Sequence, residues 1–182
     1  DWSKATEEEQ KEFFKQQDEY QSQVVGDYFR SSVWSWRPLA NYIIKYTNCV
    51  DEDDVARWNN NDGHKVSKEE AKEIANQLKY LIETKHTKEY ADDYEKARKL
   101  AEGYNKRVDK QLDALQRSVE KKMGKDNVAP NDYPKEDKKE WDSLYEKKLW
   151  EANYPFSVSH VEEFAEFAEN SGGFEKKNKY SF

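Results

Sequence analysis

Apolar residues recur at three- and four-residue spacing through much of the chain, which is the pattern of amphipathic helices. The clearest stripe runs from Ser67 to about Lys85 and consists of Ala71, Ile74, Ala75, Leu78, Leu81 and Ile82. A second stripe runs from Thr87 to about Lys122 and consists of Tyr90, Tyr94, Ala97, Ala101, Tyr104, Val108, Leu112, Leu115 and Val119. At 1.5 Å per residue, the second helix is a rod of roughly 50 Å. We therefore predict two long antiparallel helices joined near His86 as the scaffold.

Shorter helices are predicted on both sides of this pair. They span residues 3–24, 39–46 (opened by Pro38), 136–152, and a last helix that begins at Ser159. Ser or Thr followed three residues later by Glu is the capping-box spacing, and it occurs at Thr6–Glu9, Ser67–Glu70 and Ser159–Glu162. Gly172 with Gly173 predicts a left-handed end to the last helix. Gly103 predicts a bend within the long helix, since Gly weakens helix interiors.

These elements predict an all-α fold, a single-domain helical bundle over residues 1–182. Within it we expect an aromatic and arginine segment with its helix (28–46), a long helical hairpin (67–122) and C-terminal helices (136–173). Residues 124–135 carry two prolines and read as a surface connection. Apolar and polar residues alternate only weakly over residues 174–182, so both a short irregular segment and a short strand are kept as alternatives for the C-terminus.

Composition supports a folded chain without a basic surface. Hydrophobic residues are 35% of the 182 and charged residues 38%, a balance that leans towards disorder, whereas the 14% aromatic content favours a folded core. The net charge of −7 arises from interleaved acidic and basic residues, so no basic stripe is present to neutralise phosphates. We expect no binding to duplex nucleic acid.

The chain has one cysteine and no long apolar run. Cys49 alone excludes an internal disulfide and fits a reducing compartment, and we expect it to be a small core residue. No run approaches the roughly 20 apolar residues needed to span a bilayer. These features predict a cytoplasmic protein that does not enter a membrane. Met123 is the only methionine, so the initiator is missing, and a removed signal peptide remains open.

The most unusual stretch is residues 28–39, with sequence YFRSSVWSWRPL. In one interpretation its rings lie in the core, while Arg30 and Arg37 extend along the surface or pair with carboxylates. In the other, some rings stack on a planar group and the arginines contact phosphate or carboxylate. The two overlap, because one Trp of the pair Trp34 and Trp36 can face inward while the other lines a pocket.

Three patterns resemble metal sites, and each has a simpler explanation. Asn60-x-Asp62-Gly63 followed by Glu69 resembles a calcium loop, but Trp58 occupies the first ligand position, so a turn before the Ser67 helix is favoured. Glu83-x-x-His86 has di-iron spacing but lacks a second such pair. Residues 51–54 could ligate magnesium, yet acidic residues also favour a helix N-terminus. We predict no metal and no cofactor.

Several blocks along the chain carry a resemblance. They are Tyr28-Phe29-Arg30, Val33-Trp34-Ser35-Trp36-Arg37-Pro38-Leu39, Asn61-Asp62-Gly63, Tyr154-Pro155-Phe156-Ser157-Val158, Val161, Glu163-Phe164, Phe167 and Ser171-Gly172-Gly173-Phe174. In this order the blocks resemble a family of small uncharacterised proteins of bacteriophages and prophages, whose members end soon after the last block. The resemblance implies an accessory phage function inside the host cell, such as counter-defence, and implies no mechanism.

Two classes of function follow from these features. In the first, the protein is a non-catalytic binding protein, a counter-defence sponge for a small anionic or planar ligand such as a nucleotide. The predicted ligand-binding residues are Tyr28, Arg30, Trp34, Trp36, Arg37, Asn61, Asp62 and His64. In the second, the protein is an inhibitor or adaptor that binds a host protein. An enzyme comes third, because no pattern supplies a base, a nucleophile and an oxyanion donor together. An uncovered stripe on the long helix would indicate a homo-oligomer.

Overall fold

Helices make up nearly all of the regular structure in the computed structural model, which describes residues 6–23, 25–59 and 64–175. The predicted all-α class is confirmed. The elements are α1 (Glu7–Gln23), α2 (Val33–Tyr46), α3 (Glu52–Asn59), β1 (Lys65–Val66), α4 (Lys68–Glu83), α5 (His86–Met123), α6 (Lys135–Tyr145), α7 (Val158–Asn170) and β2 (Phe174–Glu175). Single 3-10 turns lie at Pro130–Asp132 and Trp150–Asn153.

The chain divides into two compact units, and each is described by itself. Unit 1 consists of residues 1–91 and 156–182, and unit 2 of residues 92–155. The long helix α5 contributes its first residues to unit 1 and the rest to unit 2. The prediction of a single domain stays a prediction.

Unit 1 is built on the packing of α4 against α7, its most extensive helix contact. Both helices present alanines at this contact region, which allow the helix backbones to approach closely. The buried residues of the two helices are Ala71, Ile74, Ala75, Leu78, Val161, Phe164, Ala165, Phe167 and Ala168. The predicted apolar stripe of α4 is confirmed at its four buried residues, but the sequence did not indicate that α7 is the main partner of α4.

Two predicted capping boxes are confirmed. At α4 the Glu70 amide donates to Ser67 Oγ at 3.2 Å, and the Ser67 amide donates to the Glu70 carboxylate at 2.7 Å. At α1 the same reciprocal pair joins Thr6 and Glu9, so the helix begins at Glu7 and not at residue 3 as predicted. Residues 1–5 lie outside the described part of the chain.

The third predicted capping box is wrong. The N-cap of α7 is Ser157, whose Oγ accepts a hydrogen bond from the His160 amide at 3.2 Å. Ser159 therefore lies inside the first turn and does not cap it. Ser157 and Ser159 both satisfy the composition rule for a cap, and the extended backbone at Ser157 decides between them.

The predicted end of α7 is confirmed. Gly172 follows the helix with a φ of +65°, and Gly173 has a φ of +99°. A Cβ on Gly173 would lie 3.0 Å from the Val66 carbonyl oxygen. The absence of a side chain there lets the chain turn tightly into β2, which pairs antiparallel with β1 through Val66 and Phe174. This small ribbon agrees with the strand alternative that the sequence left open.

Helix α2 begins earlier than predicted. The prediction placed its first turn at Pro38, whereas the helix begins at Val33 with Ser32 as N-cap. The Ser35 amide donates to Ser32 Oγ at 3.2 Å. Pro38 therefore lies inside the helix and is buried, without an N–H to donate to the carbonyl four residues earlier. The Ser32 cap and the buried apolar face outweigh that lost hydrogen bond.

Helix α6 ends at Tyr145, seven residues before the predicted end, and the cause lies on α5. Asn105 accepts from the Leu149 amide and donates to the Leu149 carbonyl, both at 2.8 Å. Leu149 has extended backbone angles, which a helix cannot include. Tyr145 and Leu149 are exposed.

Two further α5 side chains donate to carbonyls of the same connection in unit 2. Tyr94 Oη donates to the Tyr154 carbonyl at 2.9 Å, and Arg98 donates to the Ala152 carbonyl at 3.1 Å. With Asn105, these contacts satisfy backbone groups of a segment that has little regular structure of its own. The hydrophobic core of unit 2 consists of Leu115, Val119, Val128 and Tyr133, with Met123, Trp141 and Leu144 against it.

Helix α5 continues through Gly103 without interruption. Gly103 is exposed, and a Cβ added there would meet no atom within 4 Å. Gly103→Ala should therefore raise the free energy of unfolding by about 1 kcal/mol, as measured by urea denaturation. Gly26→Ala is the control and should lower it, because Gly26 has a φ of +97° and a Cβ would lie 2.4 Å from the Asn170 carbonyl carbon. A loss of stability in Gly103→Ala would contradict the open surroundings.

Candidate functional site

The aromatic segment is held against α7 by a close backbone contact. Gly26 lies so near the C-terminal end of α7 that a side chain would overlap with Asn170. Three residues later, the ring of Phe29 contacts the rings of His160, Phe164 and Phe167, at centroid distances of 5.1, 5.1 and 5.6 Å. The segment therefore begins from a fixed position on the surface of α7.

Side chains alternate in burial from Tyr28 to Ser32, as expected for an extended chain lying on a surface. Phe29 and Ser31 are partly buried, whereas Tyr28 and Arg30 are exposed. At Val33 the chain becomes helical, and Val33, Trp34 and Arg37 stay on the outside. We call the exposed set Tyr28, Arg30, Val33, Trp34 and Arg37 the Trp34 face.

The Trp34 face exposes an unusual amount of apolar surface. Trp34 is 50% exposed, Val33 55% and Tyr28 44%. Both arginines of the segment lie among them and are exposed as well. Four of the predicted site residues are thus exposed on this segment: Tyr28 and Arg30 on the same side of the extended stretch, and Trp34 one helical turn from Arg37 on α2.

Trp36 points to the opposite side of the segment. Its indole N–H donates to the Trp58 carbonyl at 2.8 Å, and its ring stacks on that of Trp58 at a centroid distance of 5.7 Å. Its edge contacts Phe164 at 5.9 Å. Trp36 was predicted to bind ligand, which stays a prediction; the structure packs its ring against α3 and α7.

The predicted loop residues are not brought to this face by any described contact. Asn61 and Asp62 lie outside the described residues. His64 Nδ1 lies 3.1 Å from Asp54 Oδ1, which is within ion-pair distance, but the two atoms are not aligned for a hydrogen bond. The Asp54 carboxylate also forms an ion pair with Arg57 at 3.2 Å. The His64 ring is 6.3 Å from that of Trp58. His64 therefore belongs to the group around α3.

Three of the four acidic residues of the possible magnesium cluster, Glu52, Asp53 and Asp54, form the first turn of α3, at the positive end of the helix dipole, and Asp51 directly precedes it. His86 of the di-iron pattern accepts or donates a hydrogen bond at 2.9 Å with Tyr42 Oη, which also contacts Thr87 Oγ1 at 2.9 Å. Within the described ranges no three metal-ligating side chains converge.

The structure also joins two residues that sequence reasoning missed. Ser31 Oγ lies 3.0 Å from His160 Nε2, although 129 positions separate them in the chain. On the other side of the ring, His160 Nδ1 lies 3.8 Å from Glu163 Oε2. No local motif signals this pair, because it depends on the docking of residues 25–32 against α7.

Burial lowers the pKa of the His160 imidazole below its ordinary value, and Glu163 opposes this in part. Phe29 supplies one apolar neighbour of the ring. The imidazole is therefore neutral at neutral pH, with one nitrogen able to accept a proton.

Two surface cavities are lined by other residues. In unit 1 a cavity of about 320 Å³ lies between α4 and α7, lined by Lys79, Ile82, Glu83, Glu162, Ala165, Glu166 and Glu169. Its four carboxylates disfavour an anionic ligand. In unit 2 a cavity of about 440 Å³ is lined by Gln111, Ala114, Leu115, Ser118, Lys122, Asp137, Glu140 and Leu144. Neither includes a residue of the predicted site.

Comparison of the chain with protein-family models, with curated proteins and with solved structures found no match. Among the described helices, none combines the length and the apolar character that crossing a membrane requires.

The neutral state of His160 predicts a pH dependence of stability. As pH falls below the ordinary value of 6.5, the unfolded chain binds a proton at this residue that the folded protein resists, so stability is lost on acidification. His160→Gln removes that difference. Between about pH 7.5 and about pH 5.5, the fall in Tm should be smaller in His160→Gln than in the wild type. An equal fall in both proteins would contradict the assignment.

Proposed function

We propose that the protein binds a partner protein through the Trp34 face. The observation that carries the proposal is an exposed tryptophan one helical turn from an exposed arginine, preceded by an exposed tyrosine and a second exposed arginine, on a segment packed against the core. Trp, Tyr and Arg are the residue types that dominate the binding energy of protein interfaces.

The anchoring beneath the face supports this role. Phe29 and Trp36 fix the segment against α7 and α3, so the outer side chains start from a rigid backbone. A surface that is already ordered loses less conformational entropy on binding. The two guanidinium groups favour a partner with carboxylates opposite Arg30 and Arg37.

A protein partner fits the geometry better than the nucleotide-sized ligand considered from the sequence. Small ligands bind in concave sites that cover most of their surface. Neither of the two cavities described above includes a residue of the Trp34 face, and Trp36 is stacked on Trp58, which leaves Trp34 as the ring of the pair for a small ligand. The resemblance to phage proteins makes a host protein the expected partner and the host cytoplasm the expected location, and both stay predictions.

The test compares wild-type protein with two variants as baits in bacterial lysate. Trp34→Ala removes the central ring of the face, and Tyr80→Ala, which truncates an aromatic residue on α4 that is 66% exposed, is the matched control. A protein recovered by the wild type and by Tyr80→Ala, but not by Trp34→Ala, is then purified and titrated. Its Kd should rise by about 30-fold with Trp34→Ala and change little with Tyr80→Ala.

Charge reversal adds a second readout. Arg37→Glu should weaken the same complex, and the effect should shrink as salt is added, because the attraction is partly electrostatic. Identical recovery by all baits would contradict the proposal. So would stabilisation by a nucleotide that is lost in Arg37→Ala, since a ligand at 100 times its Kd raises stability by about 2.7 kcal/mol and would favour the small-ligand class.

A further inference from the structure

We propose that Ser31 and His160 form a nucleophile–base pair that accepts acyl groups from small activated esters. The inference is independent of the partner-protein proposal, because it rests on the partly buried side of the segment. The main observation that supports it is the 3.0 Å contact between Ser31 Oγ and His160 Nε2.

The distance and the order of groups match what nucleophilic catalysis by serine requires. A serine hydroxyl is weakly nucleophilic until a base within hydrogen-bond reach takes its proton, and that reach is about 2.6 to 3.2 Å. Glu163 Oε2, 3.8 Å from the other ring nitrogen, is placed to favour the imidazolium that forms when His160 accepts the proton. The resulting order is serine, histidine and carboxylate.

The state and access of both groups support the reaction. His160 is uncharged at neutral pH, since burial lowers its pKa, so Nε2 can act as the base. The imidazole side chain keeps 19% of its surface exposed, and Ser31 is only partly buried. Ser31 Oγ also lies 3.2 Å from the Ser32 carbonyl oxygen, so rotation of the hydroxyl towards His160 is part of activation.

Helix α2 begins two residues after Ser31. The first N–H groups of a helix point out of its end and carry its partial positive charge. An oxyanion formed on a substrate at Ser31 would lie near that end. This is a supporting feature, and the hydrogen-bonded pair carries the inference.

The reaction balances with water as the only co-reactant. Ser31 Oγ bonds to the carbonyl carbon while its proton moves to His160 Nε2. The bond from that carbon to the leaving oxygen then breaks, and the leaving alcohol takes the proton from His160. Water, deprotonated by His160, hydrolyses the Ser31 ester to release the carboxylic acid and restore the serine.

The experiment uses a fluorophosphonate probe on the full chain. Ser31 Oγ displaces fluoride from phosphorus, its proton passes to His160, and the adduct is located by peptide mass spectrometry. We expect the adduct on Ser31 and none in Ser31→Ala. In His160→Gln the labelling rate should fall by about 100-fold or more. Hydrolysis of p-nitrophenyl acetate should be lost in the labelled protein.

Ser35→Ala is the matched control, since Ser35 lies on the same segment and has no described contact with His160. It should label at the wild-type rate, and thermal unfolding of each variant checks that the fold is kept. If Ser31→Ala does not fold, Ser31→Cys replaces it, and iodoacetamide should modify the introduced thiol faster than Cys49, whose thiol pKa is raised by burial. The faster modification of the introduced thiol relative to Cys49 should disappear when His160→Gln is combined with Ser31→Cys.

Two results overturn the inference. One is the absence of an adduct on Ser31 in the folded wild-type protein. The other is an adduct whose rate is the same in the wild type and in His160→Gln, because the contact would then be a structural hydrogen bond alone.

Discussion

The packing around Phe164 is the constraint on which the rest of unit 1 depends. This residue of α7 is 1% exposed, and its ring contacts aromatic rings from the connection before α2, from α2 and α3, from α7 itself and from β2. The partners are Phe29, Trp36, Trp58, Phe167 and Phe174, at centroid distances of 5.1 to 6.5 Å. Aromatic rings contribute large buried areas, and edge-to-face contacts fix their relative orientation. One side chain therefore sets the positions of segments distant in the sequence.

This arrangement explains how a highly charged chain keeps a specific core. Only 35% of the residues are hydrophobic, so large rings replace the aliphatic residues that most cores use. A second ring group, in which Tyr42 contacts Tyr46, Tyr90 and Phe156, extends the same construction towards the start of α5. The alanines of α4 and α7 let these helices approach closely enough to close the core.

The same packing gives the segment 28–37 two chemically different sides. Its inner side is bound to the core through Phe29 and Trp36, and it places Ser31 against His160. Its outer side presents Trp34 with both arginines. Adjacent residues of the segment therefore take opposite sides: Phe29 and Trp36 pack against the core, as the first interpretation expected, and the ligand contacts of the second stay a prediction.

Helices whose cap and apolar stripe both lie within one short stretch of sequence were predicted correctly. The Ser67–Glu70 box and the stripe of α4 lie within one short stretch, and every residue needed to form them is nearby. The predicted helix bounds were wrong where a contact between residues distant in the sequence decides the local backbone structure. Asn105 holds Leu149 in an extended conformation beyond the end of α6, and α2 starts at Val33 after the Ser32 cap, five residues before the Pro38 that was predicted to open it.

The sequence by itself determined the helical class, most of the buried stripes and the concentration of Trp and Arg in one segment, because periodicity and composition are local properties. Only the tertiary structure decided which side of that segment faces outward, that α7 is the partner of α4, and that Ser31 meets His160. These outcomes depend on how helices pack in space, and a pairing across 129 positions has no signature in the spacing of neighbouring residues.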